Sequence, residues 1–180
     1  MKFSRGRVGT GLALVALAGM LLGAMPAAEA ANCINVPETC ILGSLTATDM
    51  RIRDADASDR IRFRADFSLG AASDGINPQA ETVTIRLSTA AGIFYEKTVE
   101  GFTRTSRGWS LNDAERTRTG IERFDIKEDG TISFVDRATA IPAQPYPVID
   151  LRIVVGDDDL RGVAPMTELP AGSGSWRLAP

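Results

Sequence analysis

No histidine occurs anywhere in the 180-residue chain. That absence removes Ser-His-Asp and Cys-His nucleophilic catalysis and every metal site that would use an imidazole. Cysteine is almost absent too. Cys33 and Cys40 stand alone, and their spacing excludes a redox C-x-x-C pair. Beyond the N-terminal stretch the only lysines are Lys97 and Lys127, so positive charge is carried by arginine. There is no G-x-S-x-G, no S-x-x-K and no phosphate-binding glycine loop. No long helical period of apolar residues follows the first thirty residues.

What is present begins with a leader. Lys2, Arg5 and Arg7 open the chain, Gly11 to Met25 is almost wholly apolar, and Ala28-Glu29-Ala30 has the small-x-small form of a cleavage site. This pattern predicts a secretory signal peptide over residues 1–30. The apolar run is shorter than the roughly 20 residues that a spanning helix needs. A lipid anchor at Cys33 is disfavoured, because Asn32 stands where a small residue is normally required. Export therefore predicts an oxidised Cys33–Cys40 bridge pinning an N-terminal arm, residues 31–44. Removing the leader shifts the formal net charge from −3 to about −5. That balance argues against nucleic acid, and against stable membrane insertion after cleavage, and leaves a protein or glycan as partner.

The remaining chain alternates. Ile149, Leu151 and Ile153 take turns with Asp150, Arg152 and Val154 between Pro147 and the turn at Gly156. A period of two marks a strand with one buried face. Val83, Ile85 and Leu87 form a near twin, about 66 residues upstream, which suggests a weak internal duplication. Met50 and Ile52 point inward with Arg51 and Arg53 outward. Ile61, Phe63, Ala65, Phe67 and Leu69 alternate with Arg62, Arg64, Asp66 and Ser68. Glu128-Asp129-Gly130 predicts a hairpin that sets Phe124 and Ile126 against Ile132 and Phe134. Eight or nine short strands with turns between them predict an all-β domain, a single antiparallel β-sandwich over residues 45–168. Residues 169–180 form a tail, with Trp176-Arg177-Leu178 as a candidate edge strand.

Gly120 to Ile126, then Asp129-Gly130-Thr131, then Pro147-Val148 through Val155-Gly156-Asp157, resembles a β-sandwich repeat of secreted bacterial proteins of uncharacterised function. The similarity extends from about Arg60 to Gly162 and rests on strand and turn residues. It implies a fold and an export route. It attaches no catalytic residues, and the N-terminal cysteine pair departs from it.

Carboxylates and aromatics remain as candidates for chemistry. Asp54, Asp56 and Asp59 have the spacing with which calcium loops begin, but the glycine at the sixth position and the closing glutamate are missing. Asp157, Asp158 and Asp159 form a second acidic turn. Aspartates also populate exposed turns simply by capping local backbone. Calcium would be favoured if both turns fell at one end of the domain; otherwise no cofactor is expected. Glu81, Glu96, Asp136 and Asp150 could supply a hydrolytic carboxylate pair, but no spacing singles them out. Asp150 with Arg152, and Arg64 with Asp66, suggest charge pairing on a wet sheet face. Trp109, Tyr95 and Trp176 are candidates for a sugar-stacking platform, against the alternative that they fill the core. The expectation is an exported, secreted or periplasmic, non-catalytic module, structural or adhesive. A carbohydrate- or calcium-binding module comes second and a carboxylate hydrolase last.

Overall fold

The computed structural model describes Cys33 and residues 40–54, 59–113, 121–137 and 140–180. The expected leader, residues 1–30, lies outside the described residues. Among the described residues there are eleven strands and no helix: β1 (Ile41–Arg53), β2 (Arg60–Ser68), β3 (Val83–Thr89), β4 (Gly92–Val99), β5 (Thr103–Thr105), β6 (Gly108–Asn112), β7 (Ile121–Lys127), β8 (Thr131–Arg137), β9 (Val148–Val155), β10 (Asp158–Glu168) and β11 (Ser175–Leu178).

All eleven join one sheet, in the order β4-β3-β9-β10-β11-β1-β2-β8-β7-β6-β5. Pairings are antiparallel except where residues 41–44 of β1 run parallel to residues 158–161 of β10. The twin strands β3 and β9 are hydrogen-bonded neighbours, with Ile85 opposite Ile153 and Leu87 opposite Leu151. The hairpin of β7 and β8 sets Phe124 opposite Phe134 and Ile126 opposite Ile132, all fully buried.

The sheet is curled. β4 and β8 stand seven places apart in the strand order, which in a flat sheet would separate them by about 34 Å. Yet the Tyr95 hydroxyl on β4 donates to Asp136 Oδ2 on β8 at 2.6 Å, and Lys97 Nζ donates to the same oxygen at 2.7 Å. Sheets of more than about ten strands curl because strand twist accumulates. Here curling also brings the two inner apolar faces together. Tyr95 on β4 meets Phe134 on β8 edge-on at 6.0 Å, and Phe134 in turn stacks on its cross-strand neighbour Phe63 at 5.0 Å. The end strands β4 and β5 are joined by residues 100–102 alone, which bridge at most about 14 Å.

This architecture, a curled half-barrel, corrects the eight-strand sandwich. Alternation reports that each strand has one buried face. It does not report whether strands close into two layers or bend as one. Continuity here depends on β1, thirteen residues long, whose first part pairs with β10 and whose last part pairs with β11. The N-terminal arm is shorter than expected, because β1 begins at Ile41. β11 is interior rather than an edge, held between β1 and β10. Gly162 permits the crossing of β10 and β1, since a Cβ there would run into the Leu45 carbonyl.

Candidate functional site

The residues selected from the sequence do not converge. Tyr95 is 4 % exposed and faces the core. Trp176 lies opposite Ile52, and its ring packs edge-on to buried Tyr146 at 6.1 Å. Trp109 lies opposite Ile126 and carries Arg104 over its ring at 4.4 Å. Five strand spacings, about 24 Å, separate β11 from β6. The three rings therefore share no platform: Tyr95 is buried, whereas Trp176 and Trp109 are half-buried and line separate depressions of the sheet.

The two acidic groups sit at opposite ends of β1. Asp54 directly follows Arg53, whereas the Asp157 carbonyl accepts from the Ile41 amide at 2.9 Å. Twelve strand steps put the ends roughly 40 Å apart. Asp59 is buried and accepts the Ile141 amide at 2.8 Å. Asp56 lies outside the described residues. The second turn is only Gly156 and Asp157, with Val155 opposite Asp158. Gly156 takes the positive φ, 57°, that a two-residue hairpin loop requires. Asp158 and Asp159 belong to β10 and are 1 % and 0 % exposed, so they are strand residues rather than turn ligands. Among the described residues no group of three acidic or cysteine side chains is placed to hold a metal ion.

Asp159 is clamped by two arginines, Arg152 at 2.8 Å and Arg161 at 2.6 Å. Burial alone would raise its carboxyl, but the hydrogen bonds from Arg152 and Arg161 outweigh burial and hold it below its ordinary value. Arg152 thus pairs with Asp159 rather than with Asp150, and Arg64 makes no ion pair with Asp66. Arg152 Nη2 also donates to the Cys33 carbonyl at 2.9 Å, which fastens the arm. Cys33 and Cys40 are disulfide-bonded with Cα atoms 5.4 Å apart. Asp158 accepts from Ser73 Oγ at 2.8 Å through Oδ2, while its buried Oδ1 has no partner. Burial raises the carboxyls of both Asp158 and Glu81. Among the hydrolytic candidates Asp136 is held by Tyr95 and Lys97, Glu96 pairs with Arg86, and Asp150 is exposed on β9.

The structure gathers a different set of residues. Arg51 and Arg53 alternate outward on β1, and Arg60, Arg62 and Arg64 do so on β2. The antiparallel register sets Arg51 opposite Arg62 and Arg53 opposite Arg60. On one side β11 adds Arg177 opposite Arg51; on the other β8 adds Arg137 opposite Arg60. Directly opposed Cα atoms in antiparallel strands lie roughly 4.5–5.5 Å apart. Asp49 partly neutralises the first row, 3.1 Å from Arg62 and 3.4 Å from Arg51, and Glu122 pairs with Arg137. Arg53, Arg60, Arg64 and Arg177 have no carboxylate partner among the described residues. Arg60 Nε is buried without a hydrogen bond, and burial followed by the charge of Arg137 lowers its guanidinium from the ordinary value. A shallow cavity of about 340 Å³ opens among Arg51, Arg53, Arg60, Arg62 and Arg177.

Comparison with protein-family models, with curated proteins and with solved structures returns no match.

The chemistry of the face is therefore read from its donors. Guanidinium groups present a planar fork of N–H donors that suits carboxylate, sulfate and phosphate oxygens. The sequence did carry a signal for this face: R-x-R followed, across a polar turn, by R-x-R-x-R. Alternation marked these arginines as outward, but a net charge averaged over the chain concealed their concentration on one face.

Proposed function

We propose that the protein is an exported, non-catalytic β module, structural or adhesive, that works through the arginine-bearing face of its sheet. The observation that carries this reading is the register that sets Arg177, Arg51 and Arg62 in one row and Arg53 and Arg60 in the next. Like charges directly opposite one another weaken a sheet. Opposed strand residues have Cα atoms roughly 5 Å apart, and two like charges at that separation in water repel by about 0.8 kcal/mol, an upper figure for long side chains that can splay. Holding the sheet together gives no reason to concentrate such pairs, whereas an anion laid across them replaces repulsion with attraction. The non-catalytic part of the reading rests on the missing histidine and on buried carboxylates already engaged, Asp136 by Tyr95 and Lys97 and Asp159 by its two arginines. Export rests on the basic, apolar and Ala-x-Ala pattern of the first thirty residues, in keeping with the resemblance to a secreted repeat.

Retention on a sulfonate cation-exchange resin near neutral pH tests the face. A chain of pI about 5.1 should pass through unless its positive charge is segregated. The expected result is retention of the untagged protein and its loss in an Arg53→Gln, Arg60→Gln, Arg177→Gln variant. A control that lowers net charge equally at exposed turns (Ala90→Asp, Ala91→Asp, Ala171→Asp) should still be retained. Wild-type protein in the flow-through would refute the reading. N-terminal sequencing of the exported protein should return Ala31, and an intact Met1 would refute export.

A further inference from the structure

The arginine cavity does not end at β2. A second depression, about 240 Å³, adjoins it through Arg62 and is lined by Arg64, Arg123, Lys127 and Ser133. A third, about 350 Å³, shares Arg123, Asp125 and Lys127 with the second and adds Arg107, Thr105 and Ser106. The three run in strand order from β11 through β1, β2, β8, β7 and β6 to β5. Six strand spacings make this trough about 29 Å long, and it lies across the strands rather than along them. Cationic side chains line it from end to end. Among the described residues a single carboxylate, Asp125, lines it, and Arg123 donates to that carboxylate at 2.6 Å.

Resting on the reading of this face as the working surface, we propose that its ligand is a linear acidic polysaccharide seated across the strands from β11 to β5. Three observations select that chemistry. First, the depressions are shallow and successive ones share lining residues, which suits an extended chain better than a compact small molecule needing enclosure on most sides. Second, hydroxyls alternate with the cations: Ser175 at one end, Ser133 and Ser110 in the middle, Thr105 and Ser106 at the other. A chain of sugar acids offers the matching alternation of anionic groups and hydroxyls. Ser110 and Ser133 donate to Asp125 at 2.6 and 3.2 Å, a polar platform for sugar hydroxyls. Third, the face lacks what the other polyanions require. Tyr95 is buried, and the two half-buried indoles stand alone at opposite ends, Trp176 at the first depression and Trp109 at the third, so successive nucleic-acid bases meet no continuous row of stacking rings. The exposed large apolar side chains, Leu42, Ile93, Val148, Val163 and Leu169, line none of the three depressions, so a lipid surface meets no inserting group.

Titration calorimetry of the untagged protein with polygalacturonate, dextran sulfate and neutral dextran tests the assignment and separates carboxylate from sulfate recognition. Binding to at least one acidic glycan and none to neutral dextran is expected, with affinity falling as salt rises because counterions are released. Oligogalacturonides or sulfated oligomers longer than the trough should bind about 100-fold more tightly than oligomers covering one depression, as linked contacts do. Arg53→Gln with Arg177→Gln removes one end of the trough, and Arg107→Gln with Lys127→Gln removes the other. Each pair should weaken the long oligomer at least tenfold, with circular dichroism unchanged. Affinity independent of length, or loss at one end only, would overturn the trough. Tighter binding of single-stranded DNA or of phosphatidylserine vesicles than of every acidic glycan would overturn the ligand. Retention on the sulfonate resin without glycan binding removes this assignment alone, whereas failure on the resin removes both.

Discussion

Replacing Asp136 by alanine probes the contact that holds the curl. Asp136 is fully buried on the inner face of β8, between Tyr95 and Lys97 of β4. Its removal takes from the Lys97 ammonium and the Tyr95 phenol the carboxylate to which both donate, beside apolar walls that include Phe134. Breaking a buried ion pair from one side costs about 3–5 kcal/mol. The lower figure applies, because 25 % of the Lys97 side chain remains in contact with solvent. The unpaired Tyr95 hydroxyl adds about 1 kcal/mol. A loss of about 4 kcal/mol corresponds to a fall in Tm of roughly 8–16 °C for a domain of this size. Domains of this size have about 5–15 kcal/mol of total stability, so the variant should still fold. Urea unfolding followed by tryptophan fluorescence reads the change on both sides of the sheet, since Trp176 lies on β11 and Trp109 on β6. Combining Asp136→Leu with Lys97→Met should restore most of the loss, because an apolar replacement of both partners leaves no charge buried alone. A loss below about 1 kcal/mol for Asp136→Ala would refute the view that this contact secures the curl.

Asp159→Asn should lose about 2–3 kcal/mol at neutral pH, the scale of hydrogen bonds to a charged group. Because the folded carboxyl lies below its unfolded value, this contribution is present above about pH 4 and is lost as pH falls through the folded value, so melting curves of variant and wild type should converge in acid. Asp158 behaves oppositely: its folded carboxyl lies above the unfolded value, so ionisation begins to oppose folding as pH rises past the unfolded value, about 4, and opposes it fully above the folded value. Asp158→Asn should therefore gain about 1 kcal/mol at pH 7, a gain that disappears in Tm measurements near pH 4. Gly162→Ala drives a Cβ into the Leu45 backbone and should cost about 1–3 kcal/mol by urea unfolding. Reducing the Cys33–Cys40 bridge should lower stability by no more than about 2.5 kcal/mol, because the loop it closes is short, and should leave the far-ultraviolet spectrum of the sheet intact.

Much of the strand content was legible. Period-two alternation identified the inward faces of β2, β3, β8 and β9, and the Glu128-Asp129-Gly130 turn set the register of the β7–β8 hairpin. Two kinds of feature escaped. β5 is a three-residue strand with no buried side chain, too short and too exposed to show a period. The aspartates after Gly156 looked like turn residues because Asp favours turns; Arg152 and Arg161 supply enough hydrogen bonding to bring Asp159 into the strand instead. The cationic face was half legible, since alternation set its arginines outward.

The chain by itself determined that its apolar residues recur at every second position, and that no imidazole is available. Those are local properties, decided by side-chain type and the geometry of an extended backbone. Which strands became neighbours was decided by long-range pairing. The parallel contact of β1 with β10 and the insertion of β11 between them follow from no turn, and Tyr95 and Lys97 reach Asp136 only because the sheet bends. The same pairing brought Arg177 from the far end of the chain beside Arg51. Adjacency of that kind lowers free energy only after distant segments have met, so no local spacing records it.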